Sequence, residues 1–521
     1  MINARGGGAG IDAWVAAGHS ERMFRTIVQN RYDVAVVGAG LAGMATALRL
    51  QSQGLSTVIF EAHGHAGGCA GYWRHKGFSF DVGATTLVDF EPGGVGAELL
   101  DTVGVPPIRG EHLRAYEVWL PDRRVTLHRD HAKWSEERLR MLGDTAGHRE
   151  FWALLDRVAD VFWRASRNGV KLPIRTPRDL WHNLAAMPKA DLALTRYLGT
   201  TLGRVLRRHG LDRDRPLRAL LGMLVEDTVH TTVDRAPMIN AALGVTIRGA
   251  GLSRHDGGMH GFWRTLVNRY RELGGVLRTG TTVVRVEDGF TVTTTRGVTT
   301  AGQVVMAVPA PATARICAGL PVARRLGRYL ERDRGELGGA VIVFLGVPES
   351  EVYGQSLTHH QLLQDYDQPL GDGNNMFVSV SAPGDTVSAP AGHRAVMIST
   401  HTGVSGWDED YAQRKKEIGE RLIGYARRAY PRLGDRAVVE AVGTPKTFER
   451  FGFRPGGAVG GVHQNLRNTN QFAIPHDLGG RGLWLAGDST WPGLGTVACV
   501  LGSRIVADGI GRERRSWTFR R

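Results

Sequence analysis

Two short apolar runs lie near the start of the chain, at 33–37 (DVAVV) and 57–61 (TVIFE), with helical spacing of apolar positions over 42–53 between them. Runs of this length predict strands buried on both faces, and a helix joining two of them predicts a βαβ unit with a right-handed crossover. From about 130 to 250 the period becomes helical. In HREFWALLDRVADVFWRASR (148–167), Phe151, Leu154, Leu155, Val158 and Phe162 fall on one stripe, and 191–210 and 216–229 continue the pattern. A helical core gives such a stripe; an apolar tunnel or a membrane-facing cap gives the same one. Strand patterns return at 281–287, 291–295 and 303–308, then at 340–347, 376–382 and 395–400. A helix is expected at about 410–429, and LWLAGDST (483–490) reads as a last strand running into a glycine turn.

The glycines give the first βαβ unit a chemical meaning. VVGAGLAG sets Gly38, Gly40 and Gly43 in G-x-G-x-x-G spacing where strand meets helix. The first allows the tight turn, the second lets backbone approach a pyrophosphate, and the third lets the helix pack closely on the strand. The helix, opening at Leu41 and Ala42, aims its free N–H groups and positive dipole end at the phosphates. Glu61, 18 residues beyond Gly43, is placed to accept both hydroxyls of an adenosine ribose and to repel a 2′-phosphate. FAD or NAD satisfies these features. HAGG (65–68) then adds a second glycine pair, Gly67 and Gly68. A nicotinamide dinucleotide does not need it, whereas the longer FAD needs a second close backbone approach. Dinucleotide features recur at the far end of the chain. The expected fold is therefore α/β: a discontinuous Rossmann-type FAD-binding domain (31–115, 251–320 and 441–510) with an inserted α+β substrate domain. The insertion divides into a helical cap (116–250) and a β-rich part (321–440), with tails at 1–30 and 511–521.

EAHGHAGGCAGYWRHKGFSFDVGATTL (61–87), GGMHGFWRTLVNRYRELGGVLRTGTTVVRVE (257–287), VVMAVPAPAT (304–313), GGVHQNLRNTNQF (460–472) and GLWLAGDSTWPGLGTVACVLGSRIVAD (482–508) carry a family resemblance. The chain resembles the flavin-dependent amine oxidase superfamily, and within it the phytoene desaturases, carotenoid 3,4-desaturases and carotenoid isomerases, from about residue 33 to 508. The resemblance implies Val283 beside the adenine and Gly487 and Asp488 at the flavin, with Asp488 accepting a hydrogen bond from a ribityl hydroxyl. A helix from about Thr496 and Val497 would point its positive end at the flavin pyrimidine. The chain departs from the family at two positions. Cys69 stands where Arg is frequent, and His65 where a basic residue is frequent, so glycine backbone, the first helix dipole and His65 are left to face the pyrophosphate. Cys499 reads as a small residue letting the helix approach the isoalloxazine.

The implied reaction is desaturation of a carotenoid or related apolar polyene by hydride transfer to flavin N5, with a redox-neutral isomerase or a flavin oxidase of amines or another apolar substrate as alternatives. Because a polyene delocalises its own charge, no strong acid or base is demanded, and no residue is singled out as one; His359 and His360 fit either a base or a structural role. Burial of a long polyene at about 25 cal/mol per Å² supplies binding without polar anchors. The apolar wall is expected to begin at GFSFDVGATTL (77–87). Without a second nucleotide fingerprint, oxygen or a membrane quinone is the expected electron acceptor.

Composition sharpens this at the edges. Among 521 residues, three cysteines without metal-ligand spacing exclude a disulfide framework and a zinc site, and fit a cytoplasmic protein. The net charge of +14 comes without a nucleic-acid-binding signature, so no nucleic acid is expected. The basic clusters 203–218 and 511–521 suit either solvated faces or an anionic lipid surface. No apolar run reaches the roughly 20 residues of a spanning helix, so any membrane contact is peripheral.

Overall fold

The computed structural model describes residues 31–518; the expected tail 1–30 and the end of the basic run, 519–521, lie outside the described residues. The first sheet carries the nucleotide features. Strands Arg31–Val37 and Thr57–Phe60 pair in parallel, with helix Leu41–Ser52 between them. Val276–Arg278 adds a parallel strand beyond Thr57–Phe60, and the ten-residue strand Gly297–Met306 pairs in parallel on the other side. The first half of that long strand meets the antiparallel strand Thr291–Thr294, beyond which Val283–Val286 is added antiparallel, and its second half meets Leu483–Leu485 in parallel. A segment from each end of the chain thus flanks one central strand. The closing helix Thr496–Thr518 packs on Leu41–Ser52, where Arg49 is buried and binds Glu98 (2.5 Å) and Ser503.

The second sheet is antiparallel apart from one pair, in the order Val439–Gly443, Gly338–Pro348, His393–Gly403, Asn375–Val380, His359–Leu363, Ala115–Trp119, Arg124–His128. Its last two strands lie within the stretch 116–250 expected as a helical cap, so the helices begin only at His131. They pass through Ala146–Arg167, where Phe151, Leu155 and Val158 are buried and Leu154 and Phe162 half-buried, as the stripe required. The expected helix over 191–210 is instead a 3₁₀ segment, Lys189–Gly199, then a break and a short helix, Leu202–Arg208. Thr201 breaks the run by capping the second helix with its side chain, accepting from the Arg204 N–H.

A hairpin, Ala70–His75 with Phe78–Gly83, links the two sheets. Phe78 and Phe80 are buried against Ile342 and Phe344 of the second sheet. Asp81, on the other face of the same strand, forms a fully buried pair with Arg254 and accepts the Met259 N–H (2.8 Å). Removing one partner of such a pair strands the other charge, at a cost of about 3–5 kcal/mol. Among the described residues, no helix is long and apolar enough to cross a membrane.

Candidate active site

Val37, Met306 and Leu485 share one register across three neighbouring strands. The turns that follow, at Gly38 and Gly487, therefore open on the same edge of the sheet about 10 Å apart, two strand spacings. Gly38 has φ +100°, and a Cβ there would lie 2.6 Å from the Ala307 carbonyl oxygen. Gly40 is different. The nearest atom to a Cβ added there is Gly68 Cα at 3.9 Å, so packing does not require glycine; only an occupant of the space in front would. The Gly67 N–H donates to the Ala39 carbonyl (3.0 Å), holding the two glycine turns side by side. Glu61 accepts the Ala39 N–H (2.7 Å) on one oxygen and the His63 N–H (2.8 Å) on the other, leaving lone pairs on both. Burial nonetheless raises its carboxyl above the usual range.

Gly38, Gly40, Leu41, Ala42, Glu61, His65, Gly67, Gly68, Cys69, Val283, Gly487, Asp488, Thr496 and Val497 all line one cavity of about 1310 Å³. Gly43 stays off its wall and packs against the Gly38 carbonyl. Backbone turns for a pyrophosphate, a carboxylate for a ribose and open space before Gly40 together fit FAD.

Two expectations change here. His65 stacks on Tyr72 (4.3 Å between ring centres), and burial lowers its pKa, so the ring is neutral and brings no positive charge. A cation nonetheless stands beside Cys69: Arg454, 385 positions further along the chain. Its guanidinium donates to Asp488 Oδ2 (2.6 Å) and the Ala458 carbonyl, and reaches the Cys69 sulfur. Asp488 is thus not a free acceptor: one oxygen is held by Arg454, and the other takes the Ser489 hydroxyl at 3.4 Å. Burial pushes the Cys69 thiol up and the Cys499 thiol up to about 12, so both are protonated, weakly polar packing groups. Arg454 follows helix Pro445–Gly452 in an irregular loop, and no motif spacing pointed to it.

Away from the glycines the cavity runs between the second sheet and the helices, lined by Leu243, Ile247, Ile342, Phe344, Phe377 and Phe448. The wall expected from 77–87 is narrower. Val82 to Thr86 face the cavity, while Phe78 and Phe80 turn into the packing between hairpin and sheet. The lining is also less purely apolar than expected. His401 Nε2 lies 3.5 Å from Asp227 Oδ1, and its ring meets that of His230 edge-on at 4.8 Å. Burial works against a charge on His401, but the Asp227 hydrogen bond and the Glu226 and Asp227 charges hold its pKa above the ordinary value. Burial, and then the charge of His401, push His230 well below it. His230 sits at φ +51°, a region bulky side chains avoid, and its buried Nδ1 has no partner among the described residues. The glycine-rich run 456–461 explains its position. A Cβ at Gly460 would strike the His230 ring, and one at Gly461 would lie 2.6 Å from the Asp488 carbonyl oxygen. His230 therefore stands where the nucleotide and apolar ends meet. His359 and His360 are fully buried and off the cavity wall; His360 accepts from Trp119 (3.2 Å) and bonds Leu357 and Tyr430.

The comparisons agree with this geometry. The chain is 24% identical over 522 residues to prolycopene isomerase 1 of an Oncidium hybrid cultivar, covering 93% of this chain and 85% of that protein. It is 22% identical over 513 residues to a 4,4′-diapophytoene desaturase of Staphylococcus aureus, covering 91% and 98%. In fold it resembles an oxidoreductase from Methanosarcina mazei (TM-score 0.58, 18% identity, 92% and 100% covered) and putrescine oxidase (TM-score 0.57, 16% identity, 93% and 99%). The family described as flavin containing amine oxidoreductase matches residues 41–510. That match runs from the first glycine turn through the inserted sheet to the closing helix, so the chain belongs to this family and is an FAD-dependent oxidoreductase.

Proposed function

We propose that the protein desaturates a carotenoid or related polyene, laid along the apolar end of the cavity with FAD held at the glycine end. The observation that carries this reading is the continuity of the two ends, with Gly40 and Phe377 on the wall of one space. In this reading the turns at Gly38–Gly40 and Gly67–Gly68, with Arg454, hold the pyrophosphate; Glu61 holds the ribose, Val283 lies at the adenine, and Gly487, Asp488, Thr496 and Val497 face the flavin. Bound FAD supplies a hydride acceptor at N5. Loss of hydride from an allylic carbon and of a proton from its neighbour creates the new double bond. The protein's part is to exclude water, align the polyene and take that proton. His230 is placed for this: its ring is on the cavity wall, and of its two nitrogens protein closes off Nδ1 and leaves Nε2 open. Its low basicity suffices because a polyene that has lost hydride is a strong acid. His401, its pKa raised by Asp227 and Glu226 against its burial, stands behind it.

Redox-neutral isomerisation is the second reading, favoured by the similarity to prolycopene isomerase. Oxygen or a quinone is the proposed electron acceptor for desaturation. An anionic membrane is the proposed source of substrate: Phe451 and Phe453 are half exposed at the cavity mouth, beside Lys415, Lys446 and Arg450. The basic cluster 203–218 is a weaker candidate for that surface, since Arg207 and Arg218 pair with Asp234 and Arg215 with Asp367.

The test is incubation of FAD-loaded protein with neurosporene, lycopene and hydroxylated lycopenes in liposomes. A red-shifted product spectrum is expected. Altered geometry at constant conjugation makes it an isomerase, and no change with any polyene, with peroxide released from an amine, overturns both readings.

A further inference from the structure

Arg248, on the short helix Ile247–Ala250, faces the apolar end of the cavity. It is 6% exposed, and its Nε and Nη1 are buried without an acceptor among the described residues. The guanidinium lies 4.9 Å from the centre of the Tyr116 ring, a partial substitute for a counter-ion. The Tyr116 hydroxyl is 3.3 Å from Thr86 and does not serve it. The charge it feels from Asp227 does not pair it either, since Asp227 is held by Gln361 (2.8 Å) and His401 (3.5 Å). Buried cations are ordinarily paired and hydrogen-bonded, and an unpaired guanidinium on a cavity wall attracts an anionic oxygen acceptor. A pure hydrocarbon in this cavity would displace water from Arg248 and offer nothing in return.

We infer that the substrate is a polyene with an oxygen-bearing end, a carboxylate fitting best, seated on Arg248 Nη2, the guanidinium nitrogen that protein does not close off, with its chain along Ile247, Leu243 and Phe377. This rests on the polyene reading above and narrows its substrate class. The contact also solves a problem of register. A polyene is nearly periodic, so apolar walls accept it in several positions along its length; one polar contact at its end selects a single one. Which carbon–carbon bond reaches the flavin edge is then set by the distance from Arg248. Asp227 stands near enough to disfavour a second anion, which limits the site to one end group.

The test is titration of FAD-loaded protein, followed by tryptophan quenching in detergent, with three linear polyenes of equal length ending in a hydrocarbon, a hydroxyl and a carboxylate. The carboxylate is expected to bind at least tenfold tighter than the hydrocarbon. Arg248→Met should erase that preference by weakening the carboxylate while hydrocarbon binding is kept or tightened and FAD content stays within twofold, and Arg248→Lys should restore part of it. Equal binding of all three by the unaltered protein overturns the inference and leaves the polyene reading standing. A preference surviving in Arg248→Met overturns it as well, and loss of FAD in that variant assigns the guanidinium to the cofactor instead. If none of the three binds, the polyene reading falls with it.

Discussion

The two ends of the cavity are built on different principles. At the glycine end the chain backbone makes the site: turns at the ends of parallel strands fix where N–H groups point, so the positions of Gly38, Gly40, Gly67 and Gly68 almost define it. At the apolar end side chains make the site. Its wall is assembled from helix Met238–Val245, five strands of the second sheet and helix Pro445–Gly452, and no spacing along the sequence links them. A backbone-built site tolerates few substitutions but reads directly from sequence, whereas a side-chain-built one can change its ligand by single substitutions and reads poorly.

The largest expected effect tests the backbone-built end. In Gly40→Val the added Cβ comes no closer than 3.9 Å to a protein atom, and the side chain enters the space in front of the turn. Purified protein should lose its yellow colour, with FAD affinity down at least about 100-fold, while its circular dichroism is unchanged. A fully loaded yellow variant would show that the pyrophosphate lies elsewhere.

The next prediction concerns the second sheet itself. Burial lowers the pKa of His360 from 6.5 to about 4. Its folded pKa lies below its unfolded one, so the unfolded chain takes the proton first. Its stabilising contribution is complete above pH 6.5 and is lost as pH falls toward 4, by about 3 kcal/mol. His401, with its pKa raised, has the opposite sign: its contribution is complete below 6.5 and lost as pH rises through the folded value. Urea melts at pH 7 and 4.5 should show the acid loss, and His360→Gln should flatten it. An unchanged slope would mean that His360 is not the buried neutral group its three partners indicate.

Arg454→Met compares the ends more finely, because Arg454 is a cation at the glycine end that sequence spacing did not announce. Its loss leaves Asp488 without its partner and the pyrophosphate without a cation. A charged hydrogen bond is worth about 1.5–3 kcal/mol, so FAD affinity should fall about 10- to 100-fold, and by less at high salt. Unchanged affinity would return the phosphate charge to the helix dipole alone.

Arg454 also marks where the sequence stops being readable. The strands Arg31–Val37 and Thr57–Phe60, both glycine turns and Glu61 follow from local periodicity and spacing, and the closing helix from the family resemblance. Asp488 was legible as a site residue but not as half of an ion pair, because its partner sits in a loop with no periodic pattern. His230, Asp227, His401 and Arg248 gave no signal. Asp227, Arg248 and His401 are ordinary helix or strand residues and His230 ends a helix; only when the second sheet folds over the helices do two of the four become buried polar groups without partners. One cue was present: the glycine-rich run 456–461 resembles no nucleotide turn, yet two of its glycines are required by contacts with His230 and Asp488. Strands 115–119 and 124–128 were hidden for a similar reason, since they join the second sheet only through a parallel partner some 240 residues away.

The smallest effect concerns the way into the apolar end. Two exposed apolar surfaces compete for a membrane. At the cavity mouth, Phe451 is 51% and Phe453 50% exposed, with cations around them; on helix Pro177–Ala186, Trp181 is 72% and Leu180 44% exposed. An interfacial aromatic and nearby lysines or arginines each add about 1 kcal/mol of lipid affinity. If the mouth is the entrance, Phe451→Ser with Phe453→Ser should weaken binding to vesicles rich in anionic lipid about tenfold, and should slow turnover of polyene supplied in vesicles more than polyene supplied in detergent. Trp181→Ser should then weaken vesicle binding without that difference in turnover. The reverse pattern would put the bilayer against the helix and leave the mouth facing water. The substrate would then cross an aqueous gap before reaching Phe448, and the continuity of apolar surface from bilayer to cavity would be lost.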